Sequence, residues 1–267
     1  MKNRLRYIAA TFFGVIILSA SAMAQEKIKG EEVAYKLNGV TMIGYVAYDS
    51  TIQGKRPAVV VVHEWWGSGD YVRKRARMLA ELGYIAIAAD LYGDGKMAGD
   101  PATAKEFAMV LYNNPNLAKL RIEAAINKVK EYAQTDPDKI AAIGYCFGGS
   151  MVLNAAKMGA DLEGVVSFHG GLAGVPATTN STKGKILVCH GGADKFISEE
   201  EIKAFKHNLD SVGVDYTFKV YKNATHAFSN PKATETGIKF NMPIKYNEKA
   251  DRRSWKEMKK FLKEIFK

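Results

Sequence analysis

The stretch Ile140-Ala-Ala-Ile-Gly-Tyr-Cys-Phe-Gly-Gly149, with Ser150-Met-Val-Leu-Asn-Ala-Ala-Lys157 directly behind it, decides the fold of this chain. An apolar run of strand-forming residues passes through Gly-x-Cys-x-Gly into a small-residue pattern that is typical of a helix. Gly144 and Gly148 leave room for a sharp turn between the two elements. Such a turn would place the Cys146 sulfur at a helix N-terminus, where N–H groups and the helix dipole favour a thiolate. The isolated five-residue pattern fits a buried core cysteine equally well.

The first 24 residues have the pattern of an export signal. Met1-Lys-Asn-Arg-Leu-Arg6 is basic, Tyr7 to Ala20 is almost wholly apolar, and Ser21-Ala-Met-Ala24 offers small residues for cleavage after Ala24. The apolar run has about 14 residues, fewer than the roughly 20 that span a bilayer, which favours removal over an uncleaved anchor. We therefore expect a signal peptide over residues 1–24, a single domain over residues 25–267, and a periplasmic or secreted protein.

The charge of the mature chain is moderately basic. Its formal net charge falls from +10 to +7 on cleavage, because Lys2, Arg4 and Arg6 leave without any acidic residue. No basic stripe interleaved with aromatic residues accompanies the surplus, so we interpret it as solubility and weak steering of anions. We predict a small-molecule partner, with no nucleic acid, no membrane after cleavage, no cofactor and no metal. A monomer is the favoured oligomeric state.

Hydrophobic patterning alternates strands with helices along the chain. Asn38-Gly39 separates two alternating segments and predicts a β-hairpin. The continuous apolar run Pro57–Val62 is typical of a strand buried on both faces of a parallel sheet. We also predict helices over residues 101–111 and 117–133, a turn at Asp136-Pro137, and a long irregular stretch over residues 229–247. Together these elements predict an α/β fold, in which helices cover both faces of a mostly parallel sheet of about eight strands.

Reactive side chains follow four of the predicted strands. Glu64, Cys146, Asp194 and His226 each come after a strand, and chemistry in open α/β sheets gathers at the carboxyl ends of strands. The order nucleophile, acid, base is the chain order of α/β-hydrolases. In such a set the histidine accepts the thiol proton and later protonates the leaving group, while the aspartate orients the imidazole.

Each member of this set also has a simpler interpretation. Asp194 could form a turn ahead of a helix that Ser198 caps, and His226 could be an ordinary loop histidine. His63, His169 and His190 also stand at strand ends and could suggest a metal site. Because they lack a short ligand spacing, we interpret them as hydrogen-bonding scaffold. The joint order and placement of Cys146, Asp194 and His226 favours catalysis.

The two cysteines lie in a chain that we expect in an oxidising compartment, so a disulfide has to be considered. Cys189 belongs to a predicted central strand. If one strand separates it from the Cys146 strand, the two are roughly 10 Å apart, beyond the ~7 Å limit for a bridge. We therefore predict that Cys189 is a small buried apolar residue.

From residue 31 to residue 266 the chain resembles the dienelactone hydrolases of the α/β-hydrolase superfamily. The resemblance rests on His63-Glu-Trp-Trp-Gly67, Asp90-Leu-Tyr92, Gly144-Tyr-Cys-Phe-Gly-Gly149, His190-Gly-Gly-Ala-Asp194, His226-Ala-Phe228, Tyr246-Asn and Ala250-Asp-Arg-Arg-Ser-Trp255. It implies an α/β-hydrolase fold and a Cys146–His226–Asp194 triad. It also implies that Glu64 contacts the resting thiol and helps to activate it when substrate arrives. Backbone N–H groups of Trp65 and Phe147 would form the oxyanion hole.

The chain departs from the family where the substrate would bind. Members that open dienelactone bind its carboxylate with two arginines. One follows the Asp-Leu-Tyr segment, where this chain has Gly93-Asp-Gly-Lys96, and the other follows the catalytic histidine, where it has Ser229-Asn230. Lys96 supplies a point charge without the bidentate fork of arginine. Trp65, Trp66 and Tyr92 could line an apolar acyl pocket, although core packing explains aromatic residues equally well. We assign Trp66, Tyr92 and Lys96 to the substrate pocket.

The sequence therefore predicts an exported hydrolase of ester or lactone bonds that works through an acyl-thioester on Cys146. Two other classes remain open. One is a member of the same fold that binds a ligand without turnover, and the other is a thiol redox protein, although no second cysteine lies near Cys146 in the sequence.

Overall fold

A computed structural model describes residues 27–267, so the predicted signal peptide lies outside the described residues. The strands are β1 (Ile28–Leu37), β2 (Val40–Asp49), β3 (Arg56–Val62), β4 (Ile85–Ala89), β5 (Thr135–Tyr145), β6 (Gly164–Phe168), β7 (Lys185–Gly191) and β8 (Tyr216–Tyr221). They form one sheet in the order β1-β2-β4-β3-β5-β6-β7-β8. The β1–β2 and β2–β4 pairs are antiparallel and the other pairs are parallel. The predicted sheet of about eight mostly parallel strands is confirmed.

Residues 27–267 contain seven helices, and six of them cover the two faces of this sheet. The seven helices are α1 (Asp70–Glu81), α2 (Pro101–Tyr112), α3 (Pro115–Lys130), α4 (Phe147–Lys157), α5 (Glu199–Ser211), α6 (Ala233–Phe240) and α7 (Glu248–Ile265). Helices α1 and α7 bury apolar residues such as Leu79 and Leu262 on one face of the sheet. Helices α2 to α5 bury Leu111, Ile122, Met151 and Leu209 on the other. None of these helices has the length and hydropathy required to cross a bilayer.

Local sequence signals set several of the element boundaries. The Asn38-Gly39 turn joins β1 to β2 with φ angles of 50° and 82°, as the hairpin prediction requires. The Asp100 side chain accepts hydrogen bonds from the first turn of α2 at 2.9 and 3.0 Å, and Pro101 follows it at the first helical position. Ser198 caps α5 in the same way through the Glu201 N–H at 3.1 Å. The predicted Asn38-Gly39 hairpin and the predicted Ser198 cap are confirmed, whereas the Asp100 cap was not predicted.

Two boundaries differ from the sequence prediction. Asp136-Pro137 does not form a turn before β5 but lies within it, because the strand already begins at Thr135, which pairs with Arg56 across a register shift. The predicted irregular stretch 229–247 contains α6, whose C-cap Asn241 adopts left-handed φ and ψ of 50° and 48°. This helix packs closely against the segment that follows it, since a Cβ on Gly237 would lie 2.5 Å from the Ile244 carbonyl oxygen.

Candidate active site

The elbow around Cys146 joins β5 directly to α4. Cys146 is the N-cap of α4 and has φ 54° and ψ −118°, a region that side chains rarely occupy. The turn is possible because the two glycines approach neighbouring backbone. A Cβ on Gly144 would lie 2.0 Å from the Gly148 carbonyl oxygen, and one on Gly148 would lie 2.4 Å from the Val62 carbonyl oxygen. The elbow therefore presents the Cys146 side chain at the end of a central strand and at the start of a helix.

A histidine behind the elbow binds the backbone of Cys146. The Cys146 N–H points at the Phe168 carbonyl oxygen, 3.0 Å away, and at His169 Nδ1, 3.1 Å away. His169 Nε2 in turn lies 2.7 Å from Ser229 Oγ, so His169 accepts from the elbow and donates to the serine. Burial holds the pKa of His169 well below its usual range, which keeps the ring neutral as this arrangement requires. His169 thus connects the elbow to the loop that carries His226.

His226 and Asp194 form a hydrogen-bonded pair at the ends of β8 and β7. His226 Nδ1 lies 2.8 Å from Asp194 Oδ2, and the Asp194 side chain is fully buried. Asp194 Oδ1 accepts the Phe196 N–H at 2.9 Å, so both carboxylate oxygens are engaged. Burial by itself would lower the pKa of His226, but interactions with Cys146 and Asp194 outweigh it and raise the pKa to about 10. The pair therefore makes His226 a strong proton acceptor beside the Cys146 sulfur.

Glu64 lies in the loop after β3, between two cavities. One cavity contains Cys146 and His226, and the other lies between α1 and α6. The Glu64 carboxylate is 5% exposed and accepts a hydrogen bond from Asn230 Nδ2 at 2.6 Å. Burial raises the pKa of Glu64 to about 7, although the Asn230 bond and the charges of His226 and Arg75 oppose the rise. Glu64 can therefore exchange a proton near neutral pH.

The cavity over Cys146 has a volume of about 630 Å³. It brings together most of the residues predicted for the site; those that line it are Glu64, Trp65, Trp66, Cys146, Phe147 and His226. Phe147 is the first residue of α4, so its N–H belongs to the donors that have no partner within the helix. Asp194 stands behind His226 rather than in the cavity wall.

The structure places two other predicted pocket residues away from the cavity. Tyr92 is 5% exposed and donates from its hydroxyl to the Trp65 carbonyl oxygen at 2.9 Å, so it supports the wall from behind. Lys96 is exposed and lies 3.4 Å from Asp94 Oδ2. Neither residue is among those that line the cavity. A carboxylate in the cavity therefore lacks the contact that we assigned to Lys96.

Most of this chain matches the model of a known protein family. The model of the dienelactone hydrolase family matches residues 42–266. The chain belongs to the dienelactone hydrolase family. Membership of this family makes the chain a hydrolase that acts on ester or lactone bonds, and its fold is the α/β-hydrolase fold.

Relatives and solved structures agree with this assignment. The usf protein of Aquifex pyrophilus is 30% identical over 208 residues, covering 76% of this chain and 88% of the relative. Among solved structures, one named m3DLH has a TM-score of 0.85 and 35% identity, covering 90% of this chain and 100% of its own. A dienelactone hydrolase-like promiscuous phosphotriesterase from metagenomic libraries has a TM-score of 0.84 and 33% identity over the same shares. These similarities extend over most of the chain.

A group of buried polar residues behind the site of this dienelactone hydrolase family member was not predicted from the sequence. Ser229 Oγ lies 2.8 Å from the Tyr71 hydroxyl, and the Ser229 carbonyl oxygen accepts from Arg75 at 2.8 Å. Arg75 also binds Asp251 Oδ1 at 2.5 Å and is almost completely buried. Arg75 and Asp251 lie on α1 and α7, so no local pattern pairs them. The sequence offers one hint for Arg75, which stands among the apolar positions of α1.

The strand-end histidines differ in how they are bonded. His63 Nδ1 lies 2.5 Å from the Glu64 carbonyl oxygen, and its Nε2 accepts the Leu91 N–H at 3.2 Å. His63 and His169 therefore act as hydrogen-bonding scaffold. His190 Nδ1 is buried and has no hydrogen-bond partner among residues 27–267, so the scaffold role predicted for it is not seen at that nitrogen.

Proposed function

We propose that the chain is an exported hydrolase that cleaves ester or lactone bonds through a Cys146–His226–Asp194 triad and an acyl-thioester intermediate. The observation that carries the proposal is the 2.8 Å contact between His226 and Asp194 at a cavity that Cys146 also lines. A thiol, an imidazole and a buried carboxylate in this order divide the work of nucleophile, base and orienting group.

The first half-reaction forms the acyl-enzyme. The Cys146 thiol transfers its proton to His226, and the sulfur attacks the carbonyl carbon, so that a C–S bond forms and the carbonyl electrons move to oxygen. The N–H groups of Trp65 and Phe147 stabilise the resulting oxyanion. When the C=O bond re-forms, the C–O bond to the leaving group breaks, and His226 gives its proton to the departing oxygen. Asp194 holds the imidazole in the tautomer that this transfer needs.

The second half-reaction releases the acid. His226, now neutral, accepts a proton from water while the water oxygen attacks the thioester carbonyl carbon. The C–S bond then breaks, and His226 returns its proton to the sulfur. In a lactone substrate both products of cleavage remain one molecule, a hydroxy acid.

Glu64 is proposed to help activate the thiol. Its pKa of about 7 makes proton exchange with a neighbouring group favourable near neutral pH. The Asn230 amide accounts for one carboxylate oxygen, and Glu64 shares the cavity with Cys146 and His226. Loss of the Asn230 bond would leave a carboxylate in an apolar setting, where it is a stronger base.

The export part of the proposal rests on the sequence of residues 1–24 alone. We expect the mature protein to begin at Gln25 and to be found in the periplasm or outside the cell. N-terminal sequencing of the protein recovered from a periplasmic extract tests this, and an intact Met1 terminus in the cytoplasm contradicts it.

Substitution of the nucleophile tests the chemistry. We expect Cys146→Ala to lower kcat/KM on p-nitrophenyl esters by about three orders of magnitude or more, because no other group can form the acyl-enzyme. Cys189→Ala is the matched control, since it removes the other cysteine from a buried site outside the cavity. Mass spectrometry of the wild-type protein quenched during turnover should show an acyl group on Cys146.

Other outcomes separate the competing classes. Full activity in Cys146→Ala contradicts the mechanism. Tight ligand binding without hydrolysis across esters, thioesters and lactones supports a binding protein. Rapid and reversible oxidation of Cys146 by mild oxidants, with no hydrolysis, supports a thiol redox protein.

A further inference from the structure

One face of helix α2 forms a wall of the Cys146 cavity. Lys105, Ala108, Met109 and Tyr112 line the cavity, and their spacing places them on one side of the helix. Met109 and Tyr112 are 39% and 41% exposed, although both are large. Large apolar side chains that remain open to water around a cavity mark a binding surface.

The other walls of the cavity are also apolar. The rings of Trp65 and Trp66 meet edge to face with centroids 5.2 Å apart. Phe196, which is 51% exposed, extends the apolar rim from the loop before α5. Ile197, Met242 and Ile244 also line the cavity. Aromatic rings and methionine side chains favour large apolar groups and adapt to their shape.

Charge in the cavity is sparse and balanced. Besides Glu64 and the Cys146–His226 pair, the charged residues that line it are Lys105 and Glu201. Glu201 Oε1 accepts the N–H groups of Leu172 and Ala173 at 2.7 and 2.8 Å, which fixes a negative charge in the wall. Lys105 is exposed and therefore well hydrated.

An anionic substrate would be poorly accommodated by these walls. No arginine within residues 27–267 lines the cavity, and Lys96 lies outside it beside Asp94. The Asn230 amide, near the same cavity, donates to Glu64 and is not free to bind a substrate carboxylate with that N–H. A carboxylate moved from water into this apolar space would lose hydration without gaining a buried partner.

We propose that the substrate is an uncharged ester or lactone that carries a large apolar group, which packs against Met109, Tyr112, Phe196 and Trp66. This inference rests on the proposed hydrolase function and narrows its substrate class. The cavity volume of about 630 Å³ lies within the range of pockets that enclose drug-sized ligands, well above what a single small lactone ring needs.

A series of esters with a common leaving group tests the proposal. We compare p-nitrophenyl acetate, p-nitrophenyl hexanoate and the p-nitrophenyl monoester of adipic acid, which has a terminal carboxylate where hexanoate ends in an alkyl chain. Because each buried methylene favours binding, kcat/KM for hexanoate should exceed that for acetate by about tenfold to a hundredfold. The adipate monoester should fall at least about tenfold below hexanoate, because its carboxylate loses hydration.

Two neighbouring residues of α2 provide matched variants. Met109 lines the cavity and Val110, the next residue, does not, although Val110 is even more exposed at 53%. We expect Met109→Ala to lower the hexanoate-to-acetate ratio of kcat/KM about threefold to tenfold, because it removes apolar contact area. Val110→Ala should leave the ratio unchanged. Both sites are exposed, so neither variant should fail to fold.

The outcomes distinguish this inference from the proposed function. If hydrolysis depends on Cys146 but kcat/KM for the adipate monoester equals or exceeds that for hexanoate, the proposed substrate class is wrong and the proposed hydrolase function stands. In that case Lys105→Gln should remove the preference for the anion. An equal loss in Met109→Ala and Val110→Ala also contradicts the proposed contact. Absence of hydrolysis of all three esters, or activity that survives Cys146→Ala, overturns the proposed function itself.

Discussion

Opposing interactions set the protonation of Glu64. Burial disfavours its charged form and is the largest effect, while the hydrogen bond from Asn230 and the charges of His226 and Arg75 favour that form. The balance raises the pKa from 4.5 to about 7. The same burial that makes Glu64 useful as a proton acceptor near neutral pH therefore destabilises the folded protein there.

The pH dependence of stability tests this balance. Because the folded pKa of Glu64 exceeds the unfolded one, its stabilising contribution is fully present below about pH 4 and is lost as the pH rises to about 7. Gln cannot ionise, so we expect Glu64→Gln to gain up to about 3 kcal/mol relative to wild type over this range. Urea unfolding at both ends of the range measures the difference. Glu106→Gln, at an exposed site on α2, is the control and should show no such trend. If the unfolding free energies of wild type and Glu64→Gln changed with pH in parallel, the raised pKa of Glu64 would be contradicted.

The elbow between β5 and α4 depends on close contact between the backbone of α4 and the backbone at the end of β3. Gly148 donates its N–H to the His63 carbonyl oxygen at 3.0 Å, and a Cβ there would lie 2.4 Å from the Val62 carbonyl oxygen. Backbone cannot move away as a flexible side chain can, so β3 and α4 would have to separate. Such a movement would also shift the loop that carries Glu64 and Trp65.

Substitution of Gly148 by alanine tests how much this backbone contact contributes to the stability of the fold. We expect Gly148→Ala to lower the free energy of unfolding by about 1–3 kcal/mol and to reduce ester hydrolysis in the remaining folded protein. The control is Gly99→Ala, because a Cβ at Gly99 meets nothing within 4 Å. Its unfolding free energy should stay within about 0.5 kcal/mol of wild type. Equal stability of the two variants would show that the elbow tolerates a side chain.

The elements that sequence predicted well are those with strong local signals. Buried strands such as β3 and β4 appear as continuous apolar runs, and the Ser198 cap identifies the start of α5. Helix α6 was missed because it has only eight residues and contains Gly237. The prediction that Cys146, Asp194 and His226 follow strands agrees with their positions at the ends of β5, β7 and β8.

The polar contacts of the site could not be predicted in the same way. The Glu64–Asn230 and His169–Ser229 bonds join residues 166 and 60 positions apart. They also depend on unusual backbone angles, since His169 and Ala227 have φ of 43° and 56°. Neither residue type signals such a conformation as glycine would. Tertiary packing, rather than any local pattern, fixes these contacts.

The central sheet keeps the two cysteines apart. Cys146 follows β5 and Cys189 lies in β7, and β6 runs between them with Phe168 paired to Cys189. Both thiols are free. Cys189 is fully buried, and burial raises the pKa of its thiol to about 12, whereas Cys146 is only partly buried in its cavity. A chain with this arrangement must therefore derive its stability from its core rather than from a disulfide.

Thiol chemistry on the intact protein tests this conclusion. We expect a thiol reagent to modify Cys146 alone in the native state and to modify Cys189 only after unfolding. Burial disfavours the reactive thiolate of Cys189 and also keeps the reagent away from it. Reductant should leave the urea midpoint unchanged, since no bond links β5 to β7. The Cys146→Ala variant provides the control, because its native form should react with no reagent at all. A midpoint that falls in reductant would instead require a Cys146–Cys189 bridge and would exclude Cys146 as the nucleophile. Native protein in which neither thiol reacts would contradict the expected accessibility of Cys146.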